Sequence, residues 1–237
     1  MLINRENFRN LYKNPIIIKD KEFAQEIARI LKIDSIMDDD IIDEELSSRF
    51  KSLEVDESIN AVLSVPYVDH TAGMSFFVMA LASIDDNNIT IFKREDNFSI
   101  WINSRKDKVD NSEFEYLENL NITNEFDMND YSEVVKRLDS YSVNDDVESL
   151  RALDILDNSR NEDYPDDLLT IFFKEGYNPE GMWVRYENIL EVPIIEGTLL
   201  NTPNQDLGVE AGDKVKIFPY KQKEKDEWII ICNLDMV

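Results

Sequence analysis

The stretch from Gly197 to Val215 reads GTLLNTPNQDLGVEAGDKV and carries the most defined backbone requirements in the chain. Gly197, Gly208 and Gly212 supply freedom that a side chain would forbid, and Asn201-Thr-Pro203 and Gly212-Asp213 carry the chemistry of turns. A strand therefore ends at Asn201, the chain crosses over, and Gly-Asp launches the next strand, Lys214-Val-Lys-Ile-Phe. The segment constrains architecture and says little about chemistry. Around it the apolar runs are short: Leu168 to Lys174, Met182 to Val192, Ile194 to Leu200, Lys214 to Pro219 and Trp228 to Cys232. Five strands in so short a length predict a small barrel or a strongly curled sheet.

Upstream, short β-branched or aromatic runs separated by polar turns cover Ala61 to Val68, Met74 to Ala82, Ile89 to Lys93 and Phe98 to Ile102, which reads as an antiparallel meander. Asp85-Asp-Asn-Asn88 suits a tight hairpin, because Asp and Asn tolerate left-handed backbone. The run from Met74 is nearly all apolar and predicts a central strand covered on both faces. Before it, Asp20 is placed to cap a helix with Phe23, Ile27, Ile30 and Leu31 on one face. After it, three helices are predicted on Phe114, Leu117 and Leu120; on Tyr131, Val134, Val135 and Leu138; and on Val147, Leu150 and Leu153. Asp130-x-x-Glu133 and Asp145-x-x-Glu148 have the spacing of capping boxes. Asp157 to Asp167 is polar and aperiodic and serves as the boundary. The expected architecture is α+β: residues 1–160 as an antiparallel meander with several helices, then 161–237 as a small β-rich module, barrel-like or a curled sheet.

Within that last third, Phe172 and Lys174, the Met182-Trp183 pair, Gly197-x-Leu-x-Asn-x-Pro203 and Gly212-Asp-x-Val215 resemble the YegJ-like bacterial domain of unknown function, with Gly181 rather than a histidine before the Met-Trp pair. The resemblance implies a small α+β or β-rich cytoplasmic module in bacteria and brings no established activity.

Charge bounds the partners. Fifty acidic residues against 25 basic ones give a formal net charge of −25. A polyanion repels phosphate, and no basic stripe with interleaved aromatics reverses that locally, so nucleic acid and anionic membranes are not expected ligands. A basic protein is. Cys232 is the single cysteine; no internal disulfide can form, a reducing compartment fits, and its apolar flanks make it a core residue. The N-terminus lacks the apolar segment of a signal peptide and the longest apolar run is far too short to span a membrane, so a cytoplasmic location is expected.

His70 is the only imidazole. Beside Asp69 and Thr71 it has the makings of a general base oriented by a carboxylate, yet no recognisable nucleophile accompanies it, and metal sites needing two imidazoles are excluded. The acidic run Asp38, Asp39, Asp40, Asp43, Glu44 and Glu45 has no glycine and no alternation, unlike a calcium loop; it reads as a solvated face or as a surface that recognises a basic partner. Trp101, Trp183 and Trp228 lie in strand segments, where aromatics are core more often than pocket lining. No glycine-rich phosphate loop exists, and neither cofactor nor metal is expected. The leading expectation is a non-catalytic binding protein of the immunity or inhibitor kind, covering a basic surface of a protein partner. The alternatives are a hydrolase-type enzyme using His70 with nearby carboxylates, and a housekeeping module of unknown function.

Overall fold

The computed structural model describes residues 1–3, 6–34, 54–92, 103–141 and 143–236. They form two compact units, Met1–Tyr67 with Met74–Ser140, and Val68–Gly73 with Tyr141–Val237. This division differs from the expected one at residue 160. The polar stretch Asp157 to Asp167 lies within the second unit, where it runs from a 3₁₀ turn (Asp154–Ser159) into a barrel strand.

The described elements of the first unit are α1 (Phe8–Leu11), β1 (Ile16–Lys19), α2 (Lys21–Asp34), β2 (Ala61–Asp69), β3 (Gly73–Asp85), β4 (Asn88–Phe92), β5 (Asn103–Arg105), α3 (Lys106–Val109), β6 (Glu113–Tyr116), β7 (Asn121–Ile122) and α4 (Ser132–Arg137). The sheet runs β6-β1-β2-β3-β4-β7, and β5 pairs with β3. β3 is buried without interruption from Gly73 to Ala80, as its nearly continuous apolar run requires. The β3–β4 turn is Asp86-Asn87, with Asp86 at φ 50°, a left-handed conformation that Asp tolerates. α2 starts where expected: Asp20 Oδ1 accepts from Phe23 N at 2.9 Å, and Ala24, Ile27 and Ala28 are buried.

Several sequence expectations give way here. The segment carrying Phe114, Leu117 and Leu120 is not an α-helix: Glu113–Tyr116 is β6, zipped against β1 with Ile18 opposite Phe114 and Ile16 opposite Tyr116, and Leu117–Asn119 is a single 3₁₀ turn. Alternate residues Phe114 and Tyr116 stack edge-on at 5.3 Å. Pairing with an isoleucine-rich strand outweighs the weak helical spacing. The segment around Tyr131 is part 3₁₀ turn (Met128–Tyr131) and part α4; Asp127 caps the turn through Asn129 N, and α4 has no side-chain cap. The residues from Phe98 to Ile102 lie outside those described.

The second unit comprises α5 (Asp145–Arg151) and five strands, β8 (Asp167–Phe173), β9 (Glu180–Glu191), β10 (Ile194–Leu199), β11 (Lys214–Gln222) and β12 (Glu227–Asn233), which close as a barrel. Each pairs antiparallel with the next, so with an odd number of strands the first and last run the same way, and β12 closes on β8 in parallel. Inward residues Leu168, Phe172, Met182, Val184, Tyr186, Ile217, Ile230 and Cys232 are fully buried. Val147 and Leu150 of α5 join this core, and each large apolar side chain so buried contributes about 1.5–3 kcal/mol. α5 is capped by Asn144, whose Oδ1 accepts from Val147 N at 2.9 Å, one residue before the expected Asp145. Register shifts flank Ile195-Glu196 in the β9–β10 pair, and the resulting bulges bend the sheet enough to close.

Candidate functional site

Ionisable side chains concentrate in the second unit around Asp166. Arg151 occupies the last turn of α5 on the same face as Val147 and Leu150, so the helix carries its guanidinium indoors. Asp166 precedes β8. The two meet in a fork: Arg151 Nε donates to Asp166 Oδ1 at 3.0 Å and Nη2 to Oδ2 at 2.7 Å, with both side chains 2% exposed. Tyr186, on the inward side of β9, donates its hydroxyl to Asp166 Oδ1 at 2.7 Å. His70 Nδ1 lies 2.8 Å from Oδ2. Arg160 closes the second layer, donating to Tyr186 Oη at 2.9 Å, Pro165 O at 2.7 Å and Leu150 O at 2.6 Å.

The electrostatics follow from these contacts. Burial alone would raise the Asp166 carboxyl, but hydrogen bonds from His70, Arg151 and Tyr186, together with the Arg151 charge, hold it far below the usual carboxylate range. Burial and the neighbouring Asp166 anion push the Tyr186 phenol up, so it stays protonated and donates. Next door, Asp167 is gripped by Arg185 through Nε at 2.7 Å and Nη2 at 2.9 Å; burial nevertheless outweighs the pair and leaves its carboxyl raised. Glu187 takes the Lys214 ammonium and the Thr198 hydroxyl, which overcome its partial burial and lower it.

Chemically, Asp166 is a saturated anion: every donor around it stabilises the carboxylate, which makes it a poor proton acceptor and a strong anchor. Of the three side chains bonded to Asp166, His70 is the one with partial exposure, 25%. The carboxylate that takes His70 is not the adjacent Asp69. Asp69 Oδ1 instead accepts from Thr71 N, Thr71 Oγ1 and Ala72 N, knitting the turn at residues 69–72, and Asp166, 96 residues further along the chain, takes the imidazole. Gly73 ends that turn at φ 84°, where a Cβ would lie 2.3 Å from Asp163 O. Among the described residues, no hydroxyl or thiol is bonded to His70.

The partner-binding candidates Asp38, Asp39, Asp40, Asp43, Glu44 and Glu45 lie outside the described residues, as does Trp101. Trp183 and Trp228 are half-buried rather than core; Tyr186 fills the barrel instead. Cys232 is fully buried, and burial pushes its thiol up to about 12. A cavity of about 390 Å³ opens in the β10–β11 loop, lined by Thr202, Gln205, Asp206, Glu210 and Asp213 among others; neither His70 nor Asp166 lines it. No described helix is long and apolar enough to cross a membrane. Compared with protein-family models, curated proteins and solved structures, the chain matches none of them.

Proposed function

We propose that the protein is a binding protein that recognises a basic surface of a protein partner, in the manner of an immunity or inhibitor protein. The observation that carries this is the net charge of −25, a surplus that steers a cationic partner and sets association rate more than affinity. The Asp166 cluster supports it: its charges are spent on one another, as in a structural anchor. Asp38, Asp39, Asp40, Asp43, Glu44 and Glu45 are the partner-binding candidates within this reading, the C-terminal third is a YegJ-like module, and the setting is the bacterial cytoplasm. Capture on the immobilised protein at low salt, with elution by rising salt, supplies the partner. Its association rate should then fall steeply with ionic strength, and changing Asp38, Asp39 and Asp40 together to Asn should flatten that dependence. A rate indifferent to salt overturns the proposal.

The second reading, a hydrolase-type enzyme, rests on one observation: His70 Nδ1 is held by a buried carboxylate while the ring retains partial exposure, the arrangement that orients a general base. Turnover of ester or phosphoester reporters abolished by His70→Asn, with the thermal midpoint unchanged, would favour it.

A further inference from the structure

A five-stranded barrel normally hides alternate residues and shows polar ones between them. β8 and β12 do not follow that rule. Inside the barrel lie Leu168, Phe172, Ile230 and Cys232; outside on the same strands lie Leu169, Ile171, Phe173, Ile229 and Ile231. Parallel strands with two apolar faces are characteristic of sheets covered on both sides, and β8–β12 is the parallel pair.

The outward apolar character continues sideways. Trp183 of β9 stands opposite Leu169, and on the far side Tyr220 stands opposite Ile229 of β12. One row lower, Ile171 pairs with Ile231, which faces Phe218. At the β9 end of this second row, Gly181 contributes no side chain. A Cβ there would sit 3.5 Å from Leu169 Cδ1 and 3.7 Å from Ile171 Cδ1, so the glycine leaves a shallow notch in the face. Leu169, Phe173 and Tyr220 are 40%, 38% and 48% exposed. Contiguous apolar surface of this kind marks an interaction site on a soluble domain.

The border of the face carries both signs, and the net charge of the chain indicates what covers it. Arg185 pairs with Asp167, Lys174 donates to Leu207 O at 2.9 Å and Lys221 pairs with Asp226 at 2.7 Å, while Lys216 of β11 and Lys223 and Lys225 of the β11–β12 hairpin are exposed. Exposed carboxylates stand at the strand ends, Glu227 at the start of β12 and Glu175 and Asp235 at the shared far end of β8 and β12, where Asp235 Oδ2 accepts from Glu175 N. A second copy would bring one charge of −25 against another, whereas an apolar segment flanked by lysine or arginine satisfies both the apolar face and the chain's surplus of carboxylates.

We infer that the outer face of β8, β12 and the adjoining edges of β9 and β11 is the docking surface for an apolar segment of a cationic protein, with the Gly181 notch taking its anchor side chain. This rests on the proposed recognition of a basic partner and names where the contact is made. Two probes at low salt test it on the full chain, a short amphipathic peptide of leucine and lysine and an oligolysine of the same charge. The amphipathic peptide should bind about tenfold or more tightly than the oligolysine. The Leu169→Gln, Ile231→Gln double variant should bring it to the oligolysine's affinity and leave oligolysine binding unchanged. Should that variant not fold, Tyr220→Ser must weaken the amphipathic peptide selectively. Equal binding of both peptides, or a preference that survives the substitutions, overturns the docking surface while leaving charge recognition standing. If neither peptide binds, both readings fall. A dimer in sedimentation that the same substitutions dissolve assigns the face to a second copy, and likewise overturns the inference.

Discussion

Asp166 shows how one buried carboxylate organises a region. Replacing it with Asn leaves the buried Arg151 guanidinium with only the partly exposed Glu148 carboxylate, at 3.2 Å, as counter-charge, a loss of up to about 3–5 kcal/mol for a buried pair; urea unfolding at pH 7 should show it. The pH dependence has a defined sign. Because the folded protein holds Asp166 below the ordinary carboxylate range, its contribution is present above a pH of about 4 and fades as pH falls below that unfolded value. Asp167, raised by burial, works oppositely and returns some stability over the acid window. The gap between wild type and Asp166→Asn should therefore narrow on acidification, and a gap that stays constant to pH 3 would refute the assignment. The cluster was partly legible in the sequence. Arg151 falls four residues after Val147, on the apolar stripe of its own helix, and a cation in that position demands a buried anion. Nothing local pointed to Asp166. Its polar surroundings resemble a linker, and the contact with His70 depends on the closed barrel. At Cys232 the sequence reading and the structure coincide, because an apolar-flanked thiol in a strand needs no distant partner. Ellman's reagent should label it only as fast as the second unit unfolds.

Elements were legible in proportion to how local their determinants are. The five C-terminal strands, the Asp20 cap and the Asp86-Asn87 turn each follow from adjacent residues, and each is present. β6 was misread as helix because its strand character comes from β1, distant in sequence, and the cap of α5 sits at Asn144 because that side chain also donates to Glu187 O at 2.9 Å, joining the helix to β9. Gly197 was read as a source of backbone freedom. Its role is proximity: a Cβ there would lie 2.5 Å from Arg185 O and 2.6 Å from Val184 Cγ1, across the β9–β10 pair. Gly197→Ala must push these strands apart at the bulge that lets the barrel close, at a cost of about 1–3 kcal/mol. Calorimetry should record a lowered midpoint for the second unit. An unchanged midpoint would mean that the strands already have room.

For the whole molecule, the dominant quantity is charge. At −25 the folded state concentrates like charges that the unfolded chain spreads apart, so self-repulsion subtracts from stability at low ionic strength. Sodium chloride at about 0.5 M shortens the screening length well below the separation of most surface charges, and the midpoint of thermal unfolding should rise with salt, by about 2–4 °C for each kcal/mol recovered. The same addition weakens any encounter with a cationic partner. Stability and association therefore move in opposite directions along one salt axis, which separates a charge kept for recognition from one kept for solubility. Under the recognition reading, neutralising Asp38, Asp39 and Asp40 raises the low-salt midpoint and slows association together. If the charge serves solubility alone, the midpoint rises and the association rate of the captured partner stays where it was.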